Sequence, residues 1–381
     1  MTPAGVLHVV FASNDAVHGF LGPATRELAS LGQSQSVILL DDAAARGHLP
    51  GLQRHARVVL VRGDGDGDGE GDGRTRHRAF YEACRREIVE RRPATLHFHG
   101  LASCAIGAVA LRRCAPRATV FYSPHGGGAS PGCGVPGAAR AVDWLVLAMA
   151  RALIHPVRSV AILTSRAESA VPGGWGGSRH LVERPVNGRF LEVPREEASH
   201  PLVLSGGAHR GTPPVEVLSQ IAVLLGAREL NIAFTWIGDM GRCLASRFEA
   251  AGIRSTGIGP EHHVDALARG WLYVAPWRPR GHPMSLIQAM AAGLPGVVLD
   301  CPRHRQVVEH GRTGLLCRSV GEMVGAVARL IDEPALRKAM GDAARDQARA
   351  RFGPARFRAS LLDAYVPSGP QPSSAQPARP G

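Results

Sequence analysis

Short runs of consecutive apolar residues alternate with amphipathic stretches along most of the chain. Such runs are typical of strands buried on both faces of a parallel sheet. They begin at Val6, Val37, Val58, Thr95, Thr119, Val160, Leu202, Ala233, Trp271 and Gly296. The stretches between them, such as 79–92, favour amphipathic helices. Strands alternating with helices over this length predict an α/β fold.

The 381 residues are enough for two domains of ordinary size. A polar run, Glu196-Glu197-Ala198-Ser199, interrupts the pattern near the middle of the chain, so we place the boundary within 187–199. The predicted units are an N-terminal domain over 1–190, a second domain over 199–350, a C-terminal helix over 351–366 and a disordered tail over 367–381.

Composition narrows the classes of partner and compartment. The formal net charge is +12, and Lys338 is the only lysine beside many arginines. No nucleic-acid-binding motif or aromatic-interleaved basic strip accompanies this charge, so we expect anionic substrates or an anionic membrane surface and no nucleic acid. Seven scattered cysteines without a C-x-x-C pair, and no apolar leader after Met1, favour a reducing cytoplasm.

The segment 271–299 carries the strongest sign of a ligand site. One apolar run ends at Pro276, a Gly/Pro turn follows, and a run of helix formers stops at Gly293 before the next apolar run. In such βαβ units a ligand binds beside the helix N-terminus, whose free N–H groups favour an anion. We therefore expect Gly281 to Leu286 to cradle a phosphate. A buried βαβ unit without a ligand is the alternative.

Residues 280–295 read R-G-H-P-M-S-L-I-Q-A-M-A-A-G-L-P. They resemble the donor-binding signature of the family 4 (group 1) glycosyltransferases, E-G-F-P-x-S-L-x-E-A-M-A-x-G-x-P. The resemblance implies a GT-B fold, in which two Rossmann-like domains face each other across a cleft and the second binds a nucleotide-sugar. Arg280, Gln288 and, in a later motif, Gln306 replace glutamates of the family pattern. The predicted donor-binding residues are Gly19, Gly206, Gly207, Gly238, Arg280, Gly281, His282, Pro283, Met284, Ser285, Leu286 and Gln288.

Three flanking elements resemble the same family. Two family cations that grip the leaving diphosphate map to Gly207 and Arg210, and an arginine can keep that role by binding phosphate bidentately. Gly238 matches a strand-G-D-G turn, and Gly19 lies in the loop that approaches the donor phosphates from the first domain. Ordinary turn glycines and a surface arginine are the alternatives.

Two histidine motifs follow apolar runs in the first half of the chain. They are His97-Phe98-His99-Gly100 and Pro124-His125-Gly126. By the same resemblance, His125 lies in the cleft near the transferred sugar and joins Arg210 as a candidate catalytic residue. A loop histidine without a role is the alternative. We expect His97 and His99 to orient the neighbouring loop.

The Gly/Asp tract over 63–73 offers a D-x-D motif and the first ligands of a calcium loop. Thr75 stands where that loop would need its last acidic ligand, and no flanking helix precedes the tract. We interpret the tract as a flexible, solvated loop. Together with the resemblance to GT-B enzymes, this leads us to expect no metal and no other cofactor.

The resemblance implies a retaining transferase in bacterial surface polysaccharide synthesis. It would move a sugar from a nucleotide diphosphate to a glycan or lipid-linked acceptor, with a basic first domain resting on the inner leaflet of the membrane. Arg210 and the helix N-terminus at Ser285 would stabilise the departing diphosphate. The lost carboxylates favour one alternative, a catalytically degenerate GT-B partner in a polysaccharide complex. An epimerase or phosphorylase on the same fold is another. Arg280 motivates a further hypothesis, that the donor is a uronic acid nucleotide.

Overall fold

The computed structural model describes most of the chain. The described residues are 5–62, 73–114, 118–125, 137–154, 159–166, 168, 178–207, 214–227, 231–238, 241–256, 260–279 and 281–365. Arg210, Arg280, the Gly/Asp tract up to residue 72 and the predicted tail lie outside these ranges.

Strands of the described residues form two wholly parallel sheets. The first contains β1 (Val6–Val10), β2 (Gln35–Leu40), β3 (Arg57–Val61), β4 (Thr95–His99), β5 (Thr119–Ser123), β6 (Ser159–Leu163) and β7 (Ser178–Leu181), in the order β3-β2-β1-β4-β5-β6-β7. The second contains β8 (Leu202–Gly206), β9 (Ala233–Ile237), β10 (Ile253–Ser255), β11 (Leu272–Ala275), β12 (Gly296–Leu299) and β13 (Gly314–Cys317), in the order β10-β9-β8-β11-β12-β13.

Helices follow almost every strand. They are α1 (Asp15–Ser30), α2 (Ala43–Gln53), α3 (Gly73–Arg91), α4 (Leu101–Cys114), α5 (Gly137–Ile154), α6 (Gly188–Leu191), α7 (Pro214–Gly226), α8 (Gly241–Ala250), α9 (Pro260–Arg269), α10 (Met284–Ala291), α11 (Pro302–Arg305), α12 (Val320–Asp332), α13 (Pro334–Phe352) and α14 (Pro354–Tyr365). Local chemistry sets several ends. The Asn14 side chain accepts from two backbone N–H groups and caps α1, and Gly293, at a φ of +85°, ends the turn after α10. The predicted α/β fold is confirmed.

The strand order of each sheet reverses at one point. In the first sheet the reversal lies between β1 and β4, and in the second between β8 and β11. Ligands of open α/β sheets bind outside the carboxyl ends of the strands at such a switch point. The two switch points are therefore where a site is expected.

The chain crosses between the two sheets twice. The outward crossing follows β7, and its Val186 and Phe190 are buried in the core of the second sheet. The return crossing is at Gly353, after which α14 buries Phe357 and Leu361 in a core of the first sheet. The C-terminal helix thus completes the first half of the molecule.

Hydrogen bonds join the two crossings to each other. The N–H of Val186 donates to the carbonyl of Phe352 at 2.8 Å. Arg351 forms a bidentate ion pair with Glu183, with distances of 2.6 and 2.8 Å, and a further nitrogen donates to the carbonyl of Gln306. This side-chain pair is largely buried, and it fixes the position of the crossing segments.

The helix α5 packs against the rest of the protein along one face only. Leu147, Ala150 and Ile154 are buried, but the opposite face is apolar too and lies open. The exposed side chains are Val142, Trp144, Leu145 and Met149, between 44% and 61% exposed. Within the described residues, no helix combines the length and hydropathy needed to cross a bilayer.

Candidate functional site

Predicted donor-binding glycines lie at the second switch point. Gly206 ends β8, and a Cβ there would lie 2.7 Å from the carbonyl oxygen of Ile237, so the strands approach closely only because this residue is glycine. Gly207 and Gly238 follow β8 and β9 with φ angles of +151° and +112°, which favour glycine. These turns bring backbone, without side chains, to the edge where a ligand would bind.

The loop from β11 to α10 lies beside these turns. The helix α10 has no side-chain cap at Pro283. The N–H of Met284 donates to the carbonyl of His282, whereas those of Ser285 and Leu286 remain available to an anion. A Cβ built on Gly281 would meet no atom within 4 Å, so the loop is open there. Pro283, Met284 and Gln288 are half-buried around this turn.

Ser285 and Leu286 are held by the sheet below them. Ser285 interacts with the hydroxyl of Tyr273, which donates to the carbonyl of Gly206 at 2.5 Å. The Leu286 side chain is buried in the core. These two residues can therefore offer a ligand their backbone N–H groups, while their side chains fix the position of the helix end.

A chain of three histidine rings reaches the first switch point. Nδ1 of His8 lies 3.1 Å from Nε2 of His99, and Nδ1 of His99 lies 2.8 Å from Nε2 of His125. His125 follows β5, is 8% exposed and has a φ of +52°, an uncommon conformation for a side chain other than glycine. The backbone turn therefore places the ring of His125 at the end of the chain.

The direction of the hydrogen bonds along this chain depends on whether Nε2 of His8 donates to Gln35. The Oε1 atom of Gln35 and the Nε2 atom of His8 are both buried and have no other partner, and the Gln35 side chain raises the pKa of His8 as a hydrogen-bond acceptor does. If Nε2 of His8 donates to Gln35, each following ring donates through Nε2 to the ring before it. Nδ1 of His125 is then an unprotonated acceptor, and it has no partner of its own.

Burial keeps these rings neutral. It lowers the pKa of His8 to about 4, and that of His125, with help from the Arg184 charge, to about 3. Burial and neighbouring rings also lower the pKa values of His97 and His99. A neutral His125 can accept a hydrogen bond from a hydroxyl near pH 7.

His97 and His99 do more than orient a loop, which is all the sequence predicts for them. His99 contacts His125 directly, whereas His97 bonds Ser123 at 2.8 Å and the hydroxyl of Tyr365, on α14, at 2.5 Å. Ring nitrogens of His8, His97 and His99 lie within 4.8 Å of one another, as in a loose metal-ligand set. Both ring nitrogens of His97 and of His99 already have hydrogen-bond partners. Hydrogen bonding therefore explains why these rings lie close together, without a metal ion.

Arg184 is not among the site residues that the sequence predicts, but the structure places it close to several of them. It lies in the outward crossing and is 7% exposed, with its Nε atom buried and unpartnered. Its charge acts on His125 of the first half and on His282 of the second. The sequence signal was available, because a cation stands beside Pro185 in the segment that joins the two domains.

Burial and three arginine charges, first that of Arg184, hold the pKa of His282 well below its usual range. The ring of His282 stacks edge-on against Phe352 at 5.5 Å, and its Nε2 atom is buried without a partner. Predicted residues from both sheets thus converge around Arg184.

A cavity of about 230 Å³ opens at the same edge of the first sheet. Phe11 and Ser13 line it after β1, Asp42 lines it after β2, and Arg76 and His77 line it from α3. The carboxyl ends of β2, β1, β4 and β5 are neighbours in the sheet, so this cavity and His125 lie along one edge. The edge offers room for a polar molecule beside the histidine chain.

Comparison with known sequences finds a family match within the second half of the chain. Residues 203–333 match the family described as Glycosyl transferases group 1. An uncharacterized glycosyltransferase of Haemophilus influenzae is 40% identical over 77 residues, which are 19% of this chain and 22% of that protein. The match therefore spans only about a fifth of the length of this curated relative. The resemblance predicted from residues 280–295 is confirmed.

Solved structures extend the likeness to the whole fold. HepE of Anabaena, in complex with UDP and glucose, superimposes with a TM-score of 0.69 and 15% identity over 94% of this chain and 98% of that one. Sucrose-phosphate synthase of Thermosynechococcus elongatus gives a TM-score of 0.69 and 15% identity over 95% and 98%. At such identity the likeness concerns the fold, and the predicted GT-B architecture is confirmed.

Proposed function

We propose that this protein is a retaining glycosyltransferase that moves a sugar from a nucleotide diphosphate to a glycan acceptor. The observation that carries the proposal is the position of the uncapped α10 N-terminus at one switch point and of His125 at the other. The family match over 203–333 and the UDP and glucose in HepE support a nucleotide-sugar as the donor.

In this proposal the second half of the chain binds the diphosphate, and the first half binds the sugar or acceptor hydroxyl. The N–H groups at Ser285 and Leu286, at the positive end of α10, bind the diphosphate and stabilise the charge that develops as it leaves. Arg210, outside the described residues, is proposed as a second cation on that group. Nδ1 of His125 accepts a hydrogen bond from a sugar or acceptor hydroxyl, and the acceptor enters along the cavity beside α3. In this proposal protein groups hold the diphosphate without a metal ion.

A donor panel tests the proposal. Thermal unfolding is followed with UDP-, GDP- and ADP-sugars, and one donor is expected to raise the melting temperature because it binds the native state alone. Release of the nucleotide should then depend on an added acceptor, and His125→Ala should slow that release by roughly 100-fold. His200→Ala is the matched control, since His200 is exposed.

Two outcomes would contradict this function. No stabilisation by any donor, in protein shown to be folded, would favour the degenerate partner that the lost carboxylates at 280 and 288 suggest. Conversion of the donor sugar without any acceptor would favour an epimerase, and cleavage of a glycan that depends on added phosphate would favour a phosphorylase.

We further propose that the acceptor is lipid-linked and that the protein works in the cytoplasm, bound to the inner leaflet through α5. Leu145 and Met149 of its exposed face are 61% and 59% exposed, and Val109 of the neighbouring α4 adds to the apolar surface. Arg112 and Arg113 are exposed at the end of α4, where they complement anionic headgroups. An acceptor of surface polysaccharide synthesis would be presented at such a surface.

Vesicle sedimentation tests this surface. The double variant Leu145→Asp, Met149→Asp should bind vesicles containing anionic phospholipid at least about 10-fold more weakly, because two apolar side chains no longer enter the bilayer interface. Val223→Asp is the control, since Val223 is 65% exposed on α7 in the second half. Equal binding of the double variant and the control would refute the membrane role of α5.

A further inference from the structure

Arg184 carries a charge that is almost completely buried. Its side chain forms no ion pair with a carboxylate among the described residues, and its Nε atom is buried and unbonded. Burial lowers its pKa to about 10, so it stays charged near neutrality. An uncompensated buried charge costs stability, and proteins retain one where a ligand or partner supplies the opposite charge.

Nearby carboxylates do not neutralise it. Glu168 acts on it electrostatically, but that carboxylate accepts bonds from the backbone and hydroxyl of Thr164, at 2.6 and 3.0 Å. Asp15 also acts from a distance, and it is exposed on the first turn of α1. Among the described residues neither forms an ion pair with the guanidinium, and its Nε–H has no acceptor.

The guanidinium lies in the cleft between the two switch points. Gly19, which the sequence predicts in a loop, lies instead within α1, because Asn14 caps the helix ahead of it. A Cβ built on this exposed residue would lie 3.8 Å from Nη1 of Arg184. Nδ1 of His125 and Nε2 of His282, in two rings on which the Arg184 charge acts, are also buried and unpartnered. The absence of a side chain at Gly19 therefore leaves an opening next to a cation that is flanked by neutral imidazoles.

We propose that Arg184 binds an anionic oxygen group of the donor in this opening. The proposal rests on the proposed function and adds a residue that recognises the negative charge of the substrate. Two sources offer that chemistry: the diphosphate itself, or the carboxylate of an acidic sugar. A guanidinium binds either group through paired N–H donors, and a position next to the His125 ring lets it act on the sugar end of the donor as well as on the phosphates.

The experiment compares Arg184→Gln with the full chain in binding calorimetry. The probes are inorganic pyrophosphate, UDP, UDP-glucose and UDP-glucuronate. Arg189→Gln is the matched control, because Arg189 is exposed in the same crossing and stacks on Phe190 at 4.8 Å. A second variant, Gly19→Val, keeps the cation and covers the opening. The melting temperature of each variant is measured alongside, and Arg184→Gln should melt no lower than the natural chain because it removes an unpaired buried charge.

The probes separate the two sources. A loss of roughly 10- to 100-fold in affinity for pyrophosphate and UDP, in both variants, assigns the phosphates. A loss of similar size confined to UDP-glucuronate assigns the sugar carboxylate. Unchanged affinity for every probe in folded Arg184→Gln overturns the proposal, as does a lower melting temperature with unchanged affinity, the result of a purely structural arginine.

The same panel distinguishes failure of the broader function. If the natural chain binds pyrophosphate but no UDP compound, the UDP donor is wrong while the pyrophosphate comparison still decides the role of Arg184. If the natural chain binds none of the four probes, the UDP donor and the role of Arg184 are both refuted, and the GDP- and ADP-sugars of the donor panel decide the broader function.

Discussion

Lowering the pH from about 7 to about 5 is expected to reduce the free energy of unfolding by roughly 2 kcal/mol for each buried histidine that stays neutral in the native state, because a difference of one pKa unit corresponds to about 1.4 kcal/mol. The rings concerned are those whose pKa values burial depresses: His8, His18, His97, His99, His125 and His282.

The direction follows from proton uptake. In the unfolded chain these rings take up protons near the ordinary pKa of 6.5, whereas native His8 and His18 stay neutral down to about 4 and His125 to about 3. The unfolded state therefore binds more protons below pH 6.5 and gains free energy relative to the native state. This stability is fully present above pH 6.5 and falls as the pH drops towards 4.

Chemical denaturation at a series of pH values measures the effect. His18→Asn should reduce the slope of unfolding free energy against pH, since His18 has both ring nitrogens buried and unpartnered. His200→Asn, at an exposed position, should leave the slope unchanged. A free energy of unfolding that is constant between about pH 7 and 5 would show that the histidine network is not closed to solvent.

Replacing Glu183 by Gln is expected to destabilise the protein by about 3–5 kcal/mol, because it leaves the Arg351 charge buried without a partner. The ion pair is bidentate, with side-chain exposures of 17% for Arg351 and 8% for Glu183. Chemical denaturation gives the change in unfolding free energy.

Two control variants test whether this cost comes from the buried unpaired charge. Glu322→Gln breaks an exposed pair, since Arg318 and Glu322 are 80% and 42% exposed, and should cost less than about 1 kcal/mol. Adding Arg351→Gln to Glu183→Gln should cost little more than the single change, or restore part of the loss. A cost for Glu183→Gln no larger than that of the exposed control would mean that the crossing segments are held by their backbone and apolar contacts alone.

Residue patterns predicted the strands well because parallel strands buried on both faces are nearly continuous apolar runs. For example, the strand predicted over Val37 to Leu40 is only two residues longer in the structure, where it covers Gln35–Leu40. The β11–α10–β12 unit followed from its turn residues, and residues 281–288 do lie at the carboxyl end of a strand beside an uncapped helix. The donor and catalytic roles of these residues remain predictions, as do the domain bounds.

What the sequence could not show are contacts between distant residues. His8 pairs in register with His97, so these rings and that of His99 share one face of the sheet, but strand order is needed to know that β1 lies beside β4. The bond from His97 to Tyr365 joins residues 268 positions apart. Arg184 looked like an ordinary interdomain residue because its burial depends on both halves folding around it.

The return of α14 to the first half sets an order of events during synthesis. Val6, Phe121 and Val160 of the first sheet share their core with Phe357 and Leu361, which are made near the end of the described chain. At translation rates of about 5–20 residues per second, that core waits on the order of ten to forty seconds for its last helix. The N-terminal half therefore leaves the ribosome with an apolar face uncovered, and only the arrival of the C-terminus closes it.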